Sequence, residues 1–449
     1  MGVARATCTS GLAVYTVGYD AEDKVGAVEA RDVNTGQLLG VWKAGYSSNF
    51  HDCIVLGDYL YVVGADSLPG HAEWVILKFT LDLNLVDEKH YDVTDKGAVA
   101  VSINTDGKYL YIGGYDNSTK TVYYPDDAQY HLIKVEPSDL SILKTYTSNP
   151  SRNRDWVNSI NINPVNGEIW LAVSMGQYDG KIVVVNQDLK VIGEQTIYTF
   201  AFPQIAFDES GYAYITGMSP RTNKGGLAKL SPDLKTIKTN IVVKGNKILY
   251  NNGYLYIAVE YYVGNYRRHV LVMATKNLDV LETLVLSSGI NADAYLVHWG
   301  KMDFIGDNIF VSGYYYVSDT RTYNWITYSV KTNPPTSTTE TASKPPIPSI
   351  TTTSATTSKP TTTTTTTKSV ETTPPITTTV AITYTSTSTS VTEMTSKTQT
   401  TQTITTWALT PTIQVPDTRT GTIIIVGITA TAIIAVILVA ILLLKQKRK

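Results

Sequence analysis

Charged residues are scarce in this chain of 449 residues: they make up 17% of it, and the formal net charge is −2. Ordinary soluble domains carry roughly a quarter charged residues. Nucleic-acid binding needs a strong basic excess to neutralise phosphates, so this balance argues against a nucleic-acid partner. Phenylalanine is also scarce, with 7 copies against 30 of tyrosine. Because tyrosine, valine and threonine favour pleated strands, we expect a strand-rich protein.

Cysteine is nearly absent, with only Cys8 and Cys53 in the chain. Two thiols are too few for a disulfide framework, and too few for a zinc site unless histidines complete it. Two possibilities follow, one disulfide in an oxidising compartment or two buried thiols.

Recognisable catalytic motifs are lacking as well. The chain contains no G-x-S-x-G elbow, no H-E-x-x-H and no P-loop, and its 6 histidines show no close metal-ligand spacing. We therefore predict no catalytic residue, no metal and no cofactor. The sequence favours a binding protein over an enzyme, a preference that rests on missing motifs.

The C-terminal end holds a long run without charge, residues 423–444, which read IIIVGITATAIIAVILVAILLL. At about 1.5 Å per residue this run is long enough to cross a bilayer. The sequence KQKRK follows it. The positive-inside rule therefore predicts a single transmembrane helix at 421–444, a basic cytoplasmic tail at 445–449, and the rest of the chain outside the cell.

An export signal, which this orientation requires, is not recognisable in residues 1–20, because no charged start precedes an apolar run. We expect that the sequence is that of the mature chain, that its start is wrongly assigned, or that the C-terminal helix inserts into the membrane unaided.

Threonine, serine and proline dominate residues 332–420, of which TTTSATTSKPTTTTTTTKSVETTPP (351–375) is typical. Such a segment buries too little apolar surface to offset its ordering entropy. Its composition is typical of O-glycosylated stalks. We predict a disordered stalk that lifts a head, residues 1–331, away from the membrane.

The head contains seven copies of one pattern, here repeats 1 to 7: an apolar strand, a turn and an aromatic-rich strand. One column is aromatic in every copy: Tyr15, Tyr61, Tyr111, Trp170, Tyr214, Tyr256 and Phe310. Three positions later, five copies have glycine: Gly18, Gly64, Gly114, Gly217 and Gly313. Four turns carry dipeptides suited to tight hairpins, which accept positive φ: Asp106-Gly107, Asn166-Gly167, Ser210-Gly211 and Asn252-Gly253.

A second motif, Asp-Leu or Asn-Leu, separates two further strands in repeats 2 to 6. Its copies are Asp82-Leu83, Asp139-Leu140, Asp188-Leu189, Asp233-Leu234 and Asn277-Leu278. Each repeat thus holds about four strands, which we label A to D in chain order. Four strands in roughly 40–50 residues, repeated, predict a β-propeller, and seven repeats predict seven blades. Another all-β solenoid and two stacked sandwiches are the alternatives.

The segments INTDGKYLYIGGYDNS (103–118) and AFDESGYAYITGMS (206–219) resemble the β-propeller repeats of bacterial and archaeal secreted and surface proteins. The layout of head, Thr-rich stalk and C-terminal helix is similar to that of archaeal surface proteins. This resemblance implies a cell-surface location and a propeller head.

Strand D is missing from repeat 7, where KTNPPTSTTE (331–340) stands in its place. Proline is poor in an internal strand. We expect the natural product to begin upstream of Met1, where both a closing strand and an export signal would lie. The alternative is that residues after Lys331 supply the last strand.

Propeller ligands usually sit at the channel mouth, which the segments before strand A and the B–C loops surround. Aromatic, charged and histidine side chains in those segments predict a ligand site for a sugar or a surface protein: His51, Asp52, Arg154, Asp155, Trp156, Phe202, His298 and Trp299. Acidic residues in the B–C loops leave a paired-carboxylate site open: Asp20, Glu22, Asp23, Asp126 and Asp127.

Two further sites follow from the repeat. Asn117 begins an N-x-[ST] sequon in the B–C loop of repeat 3, which predicts glycosylation. Cys8 and Cys53 occupy equivalent places in strands A of neighbouring blades, which do not pair directly. We expect their Cα atoms to exceed the roughly 7 Å limit for a disulfide, and so favour two buried thiols.

The sequence as a whole predicts a single-pass membrane protein whose outer propeller binds a glycan, a protein or a surface layer. Two alternatives stay open: an extracellular glycan-active enzyme on the same scaffold, and a virus-encoded surface protein.

Overall fold

The fold is all-β in the part of the chain that a computed structural model describes. The described residues are 2–66, 72–92, 97–116, 128–151, 154–176, 179–198, 200–219, 224–241, 243–263, 266–287, 293–296, 300–317, 322–332 and 382–383. Among these residues no helix is long and apolar enough to cross a bilayer. The predicted membrane helix at 421–444, the tail and nearly all of the stalk lie outside the described residues and stay predictions.

The strands follow the four-strand pattern of the repeats. Repeats 1 and 2 contribute β1 (Gly2–Thr9), β2 (Ala13–Asp20), β3 (Val25–Asp32), β4 (Leu38–Leu56), β5 (Tyr59–Asp66), β6 (Trp74–Thr80) and β7 (Leu85–Tyr91). Repeats 3 and 4 contribute β8 (Ala98–Thr105), β9 (Leu110–Asp116), β10 (Tyr130–Val135), β11 (Ile142–Ser148), β12 (Asp155–Ile162), β13 (Ile169–Met175), β14 (Asp179–Val185) and β15 (Val191–Ile197).

The second half of the head continues this order. Repeats 5 and 6 contribute β16 (Gln204–Phe207), β17 (Ala213–Ser219), β18 (Lys224–Leu230), β19 (Thr236–Asn240), β20 (Lys247–Asn251), β21 (Tyr254–Val263), β22 (Tyr266–Thr275) and β23 (Val280–Val285). Repeat 7 contributes β24 (Asp293–Tyr295), β25 (Asp303–Ile305), β26 (Asn308–Val317), β27 (Thr322–Lys331) and β28 (Ile382–Thr383).

Antiparallel pairing joins these strands, within the described residues, into six sheets. Five sheets have four or five strands, and each holds one repeat. The sixth has seven strands, because β4 runs without a break from strand D of repeat 1 into strand A of repeat 2. The seven repeats therefore do not form seven separate sheets, as the prediction of seven blades would imply: repeats 1 and 2 share one sheet.

Repeat 1 packs against repeat 7, which closes the repeats into a propeller-like ring within residues 1–387. The Thr16 and Thr327 hydroxyls lie 2.9 Å apart, and the Trp325 indole donates to the Tyr19 carbonyl at 3.2 Å. The ring has two different ends. The turn end carries the short A–B and C–D turns, and the loop end carries the B–C loops and the connections into strand A.

The aromatic column is buried between neighbouring repeats, as its regular recurrence predicts. All seven members are at most 3% exposed. Tyr15 packs with Phe79 and Leu83 of repeat 2, and its hydroxyl donates to the Leu81 carbonyl at 2.8 Å. The four predicted turns are confirmed, since the glycine of each dipeptide has positive φ, from +71° to +87°.

The leucine of the second motif lies in the left-handed region in all five copies, with φ between +59° and +65°. This conformation costs a non-glycine residue about 1–2 kcal/mol. Leu140 and Leu278 are fully buried. Burying a leucine contributes roughly 1.5–3 kcal/mol, which offsets the strain. The motif is thus a turn between strands C and D whose leucine packs into the core.

Cys8 and Cys53 form a disulfide, with Cα atoms 5.9 Å apart. The preference for two buried thiols was wrong. β1 and β4 contact each other near the ring axis without pairing, and this approach brings the Cα atoms inside the roughly 7 Å limit.

Strand A of repeat 7 is split into β24 and β25, which both pair with β26. On the other side of this sheet, β28 pairs with β27 through Val330↔Ile382 and Ser329↔Thr383. A segment after Lys331 therefore contacts the outer edge of repeat 7, as the second sequence-based alternative proposes.

Candidate functional site

The centre of the ring is shaped by β-bulges in strand A of repeats 1 to 4. Each bulge shifts the register between strands A and B by one residue, at Arg5, His51, Val101 and Asn158. In repeat 1 the bulge lies beside Gly18, where a Cβ atom would stand 2.1 Å from the Val3 carbonyl oxygen. Bulges re-aim side chains, and here they place polar groups at the axis.

Arg5 and Lys247 form a polar core at this axis. The Arg5 Nε donates to the Asn49 side-chain oxygen at 3.0 Å. Lys247 is fully buried and donates to the carbonyls of Arg5 and Ser312. Burial lowers the pKa of Lys247 to about 7, although the Asp52 charge opposes the shift. Burial, together with the charge of Arg5, likewise holds the pKa of His51 well below its ordinary value.

Gly300 and Lys301 of repeat 7 contact repeats 1, 2 and 3 at the axis. Gly300 has a φ of +80°, and a Cβ there would lie 2.7 Å from the Arg5 carbonyl oxygen. The Lys301 carbonyl accepts from the Thr7 amide at 3.0 Å. The Lys301 ammonium reaches the Ile103 carbonyl at 3.1 Å and stands 3.9 Å from Asp52. Direct contacts from repeats 1, 2 and 3 thus hold this segment in place.

A polar cavity of about 430 Å³ opens at the turn end of the axis, lined by strand A residues of all seven repeats. Asp52 and Asp303 line it, and burial raises the pKa of both carboxyls. Both are engaged in structural hydrogen bonds. Asp52 accepts from the Cys53 and Ile103 amides at 2.9 and 3.0 Å, and Asp303 accepts from the Thr9 amide and hydroxyl, both at 2.9 Å. These carboxyls therefore tie neighbouring strands together.

At the loop end, three aromatic side chains from three repeats form what we call the aromatic shelf: Tyr115, Trp156 and Phe202. Trp156 stacks on Phe202, with ring centroids 5.6 Å apart and planes at 23°. The Tyr115 ring is tilted by 46° against Trp156, with its centroid also 5.6 Å away. Trp156 is 7% exposed, whereas Tyr115 and Phe202 are half-buried, so the accessible part of the shelf belongs to the outer two rings.

Phe202 is held in a strained backbone conformation, with a φ of +52°. A hydrogen bond fixes this conformation, because the Phe202 amide donates to the Ser174 hydroxyl at 3.0 Å. Non-glycine residues in this region cost on the order of 1–3 kcal/mol and cluster at ligand-binding sites. The strain presents a half-buried ring next to Trp156.

Charged groups border the shelf. Burial raises the pKa of Tyr115 to about 12, and the charges of Arg5 and Arg154 oppose the shift. The Arg154 carbonyl accepts from the Gly176 amide at 2.8 Å, which anchors its backbone. The arrangement combines ring faces with cationic groups, which suits a ligand with an apolar face and polar or anionic substituents.

The predicted ligand residues do not form one site. Trp156 and Phe202 come together at the shelf and the charge of Arg154 acts on Tyr115, whereas His51 is buried at the axis and Asp52 faces the turn-end cavity. Asp155 is buried and accepts from the Ser151 amide and hydroxyl at 2.8 and 2.7 Å, so it closes its own loop. His298, Trp299 and the glycosylation candidate Asn117 lie outside the described residues.

Sequence reasoning missed Tyr115 and Arg5. The signal for Arg5 was the glycine column, because a glycine inside a strand often marks a bulge or a close backbone approach. Tyr115 directly follows Gly114 of that column.

The acidic residues of the first B–C loop are accounted for by loop closure. The Lys43 ammonium lies 2.7 Å from both Asp20 and Asp23, and Asp20 also accepts from the Glu22 amide at 2.9 Å. Asp126 and Asp127 lie outside the described residues. The paired-carboxylate hypothesis thus gains no support from the first loop.

Asp66, Glu73 and His90 bring potential metal-ligand atoms within 4.8 Å of one another. Asp66 already accepts from the Glu73 amide at 2.9 Å and contacts the His90 ring nitrogen at 2.5 Å. Asp116 of repeat 3 makes the equivalent amide contact, to Gln129 at 2.9 Å, and also lies 3.2 Å from His131, which is in strand C where His90 is in strand D. The recurrence identifies these aspartates as loop anchors.

No family model matches this chain, and no curated protein matches it. Solved structures resemble its fold. Hydrazine synthase from Kuenenia stuttgartiensis is 12% identical, with a TM-score of 0.48 over 72% of this chain and 94% of that one. The β-propeller domain of the trilobed protease from Pyrococcus furiosus is 11% identical, with a TM-score of 0.43 over 73% and 95%. BamB from Moraxella catarrhalis is 10% identical, with a TM-score of 0.42 over 72% and 85%.

Proposed function

We propose that this protein is a membrane-anchored surface propeller that binds a glycan at the loop end of its head. The observation that carries the proposal is the aromatic shelf, in which a strained backbone presents Phe202 beside Trp156. Sugar rings expose flat C–H faces that stack on aromatic rings, and their hydroxyl groups accept hydrogen bonds from guanidinium groups. Arg154, which directly precedes strand A of repeat 4 and whose charge acts on Tyr115, supplies such a group.

The head in this proposal is a seven-bladed propeller. Repeats 1 and 2 each have four strand positions, and β4 serves as strand D of the first and strand A of the second. Repeats 3 to 6 are four-stranded sheets, and repeat 7 completes the ring.

The location of the head outside the cell rests on two independent features. The disulfide between Cys8 and Cys53 is of the kind that persists in oxidising compartments. The uncharged run at 423–444 and the basic residues after it predict a single-pass anchor with its tail inside. The Thr-rich chain between head and anchor acts as a spacer, as in the archaeal surface proteins that this layout resembles.

A glycan array tests the binding site. Full-length protein in detergent is applied to the array, and we expect a defined set of hits that Phe202→Gly removes. Phe304→Ala is the matched control, since Phe304 is a 38% exposed aromatic residue of β25 at the turn end. Hits that survive Phe202→Gly, or that Phe304→Ala removes equally, would count against the shelf. No hits at all would refute a glycan ligand.

Topology is tested separately, by protease treatment of intact cells. We expect loss of the head while an epitope fused after Lys449 stays protected. Protection of the head would reverse the proposed orientation.

An extracellular glycan-active enzyme is the second candidate. One observation favours it, namely that Asp52 and Asp303 line the same cavity with raised pKa values. Their structural hydrogen bonds favour the binding role instead. Hydrolysis of end-labelled glycans by the wild type, lost in Asp303→Asn, would establish the enzyme.

A further inference from the structure

The anchoring aspartate of repeat 2 has different neighbours from the equivalent aspartate of repeat 3. Asp66 and Asp116 both end strand B, and each donates its amide to the carbonyl of the residue before strand C, Glu73 or Gln129. Each aspartate carboxylate also accepts from the amide of that residue at 2.9 Å. Glu73 and Gln129 are therefore equivalent, and closure of the loop does not require a carboxylate at this position.

A second difference between the two repeats lies in strand D. His90 of β7 pairs with Val75 of β6, whereas Thr147 of β11 pairs with His131 of β10, the residue equivalent to Val75. Thr147 therefore occupies in repeat 3 the position that His90 has in repeat 2. Repeat 2 thus adds an imidazole and a carboxylate to an anchor that repeat 3 forms without them, which indicates a second role for this group.

The geometry of the group suits a metal ion. Asp66, Glu73 and His90 each offer one ligand atom, and these atoms lie within 4.8 Å of one another. Asp66 is fully buried, whereas the His90 side chain is 31% exposed, so an ion can reach the group from solvent. Ligand atoms of a tetrahedral zinc ion lie about 3.4 Å apart, because each is about 2.1 Å from the metal. Small rotations of the partly exposed Glu73 and His90 side chains are enough to reach this spacing.

The other ring nitrogen of His90 provides an independent indication. His90 Nε2 lies 2.8 Å from a Glu88 carboxylate oxygen, and the Tyr46 hydroxyl donates to the same oxygen. A histidine that binds a metal almost always donates its second ring N–H to a carboxylate, a carbonyl or water, which fixes the ring and strengthens it as a ligand. Glu88 also brings the set to three carboxylates around one imidazole, so negative charge remains for a cation even when His90 is protonated.

We propose that Asp66, Glu73 and His90 bind a zinc ion at the loop end of repeat 2, with Glu88 as the carboxylate that orients His90. An imidazole nitrogen with two carboxylate oxygens favours zinc over calcium, which takes oxygen ligands. Three protein ligands leave a fourth position for water. The ion joins the ends of β5, β6 and β7, and the proposal is independent of what the aromatic shelf binds.

Zinc binding by the full-length protein in detergent tests the proposal. The protein is stripped of metal with a chelator, and its zinc affinity is measured by competition with a chromophoric chelator. The test variant is Glu73→Gln/His90→Thr, which introduces the residues that repeat 3 has at both positions and keeps the anchor Asp66. The matched control is His131→Val, which introduces the residue that repeat 2 has there and removes a histidine 3.2 Å from Asp116.

We expect the wild type and His131→Val to bind zinc with equal affinity, and the double variant to bind it about a hundredfold more weakly, because two ligands are lost. Glu88→Gln should weaken binding roughly tenfold, because this residue orients His90 without touching the metal. Equal zinc affinity of the wild type and the double variant, or an equal loss in His131→Val, would overturn the proposal.

X-ray absorption of the zinc-loaded, unsubstituted protein gives a second measurement that does not depend on the variants folding. We expect nitrogen and oxygen atoms at about 2.0–2.2 Å from zinc, together with the scattering of an imidazole ring. A shell without imidazole, or with sulfur at about 2.3 Å, would overturn the proposal.

Discussion

The turn end and the loop end of the ring both hold non-glycine residues in the left-handed region, but under opposite conditions. At the turn end, Leu140 and Leu278 are fully buried, so burial offsets the strain. At the loop end, Phe202 has a φ of +52° while its ring is only half-buried. The difference indicates that the turn end is organised for stability and the loop end for presenting side chains.

Other contacts follow the same division. The disulfide, Asp52 and Asp303 join strands on the turn-end side of the axis. The stacked rings of Trp156 and Phe202 belong to the loop end, where the B–C loops also lie. Substitutions at the turn end should therefore change stability, and substitutions on the shelf should change binding.

Removal of the disulfide should have the largest effect. Cys8 and Cys53 enclose 45 residues, and releasing a loop of this length lowers the free energy of unfolding by about 4 kcal/mol. Urea unfolding of the wild type and of Cys8→Ala/Cys53→Ala measures the difference. Reductant should bring the wild type to the midpoint of the variant and leave the variant unchanged; a wild type insensitive to reductant would contradict the prediction.

A smaller loss of stability is expected from substitutions of Leu140, and here the glycine variant should be more stable than the alanine variant. Leu140→Ala should lower the free energy of unfolding by about 3 kcal/mol, because a buried side chain is lost. Leu140→Gly should be more stable than Leu140→Ala by about 1 kcal/mol, because glycine adopts positive φ without strain.

Leu110, fully buried in β9, supplies the control for this order. Leu110→Gly should be less stable than Leu110→Ala by roughly 0.5–1 kcal/mol, as is usual inside a strand. The same order at both positions would mean that the left-handed conformation of Leu140 is not maintained in solution.

The smallest effect concerns the loop anchor Asp66. Burial works against the charge of His90, but hydrogen bonds to Glu88 and Asp66 outweigh it and raise the pKa of His90. The pair therefore stabilises the fold fully below the unfolded pKa of about 6.5, and this contribution is lost as pH rises through the higher folded value. In an NMR titration, Asp66→Asn should lower the pKa of His90; an unchanged value would remove Asp66 as its partner.

Much of the ring could be predicted from local patterns. The aromatic column and the glycine turns recur because each repeat makes the same contacts, so the residue types alone identify them. Leu140 was recognised as part of a turn motif, but its positive φ and burial depend on the neighbouring repeat. A repeat pattern does not report such contacts.

The centre of the ring could not be predicted in the same way. The bulges that carry Arg5 and His51 shift the pairing by one residue, which a strict alternation of inward and outward residues does not anticipate. The disulfide was missed because strand spacing near the axis depends on how the strands converge. The shelf was predicted in part. Phe202 precedes a strand A and Trp156 lies at the start of another, where ligand residues were expected, whereas Tyr115 lies at the end of a strand B.

The division between the two ends is tested most directly by measuring both binding and stability of Phe202→Gly, with Leu140→Ala as its counterpart. For an oligosaccharide identified on the array, we expect Phe202→Gly to weaken binding at least tenfold, about 1.4 kcal/mol, while the free energy of unfolding stays within about 1 kcal/mol or rises. Leu140→Ala should lose about 3 kcal/mol of stability and keep its affinity. Unchanged binding by Phe202→Gly, together with a loss of stability like that of Leu140→Ala, would contradict the account.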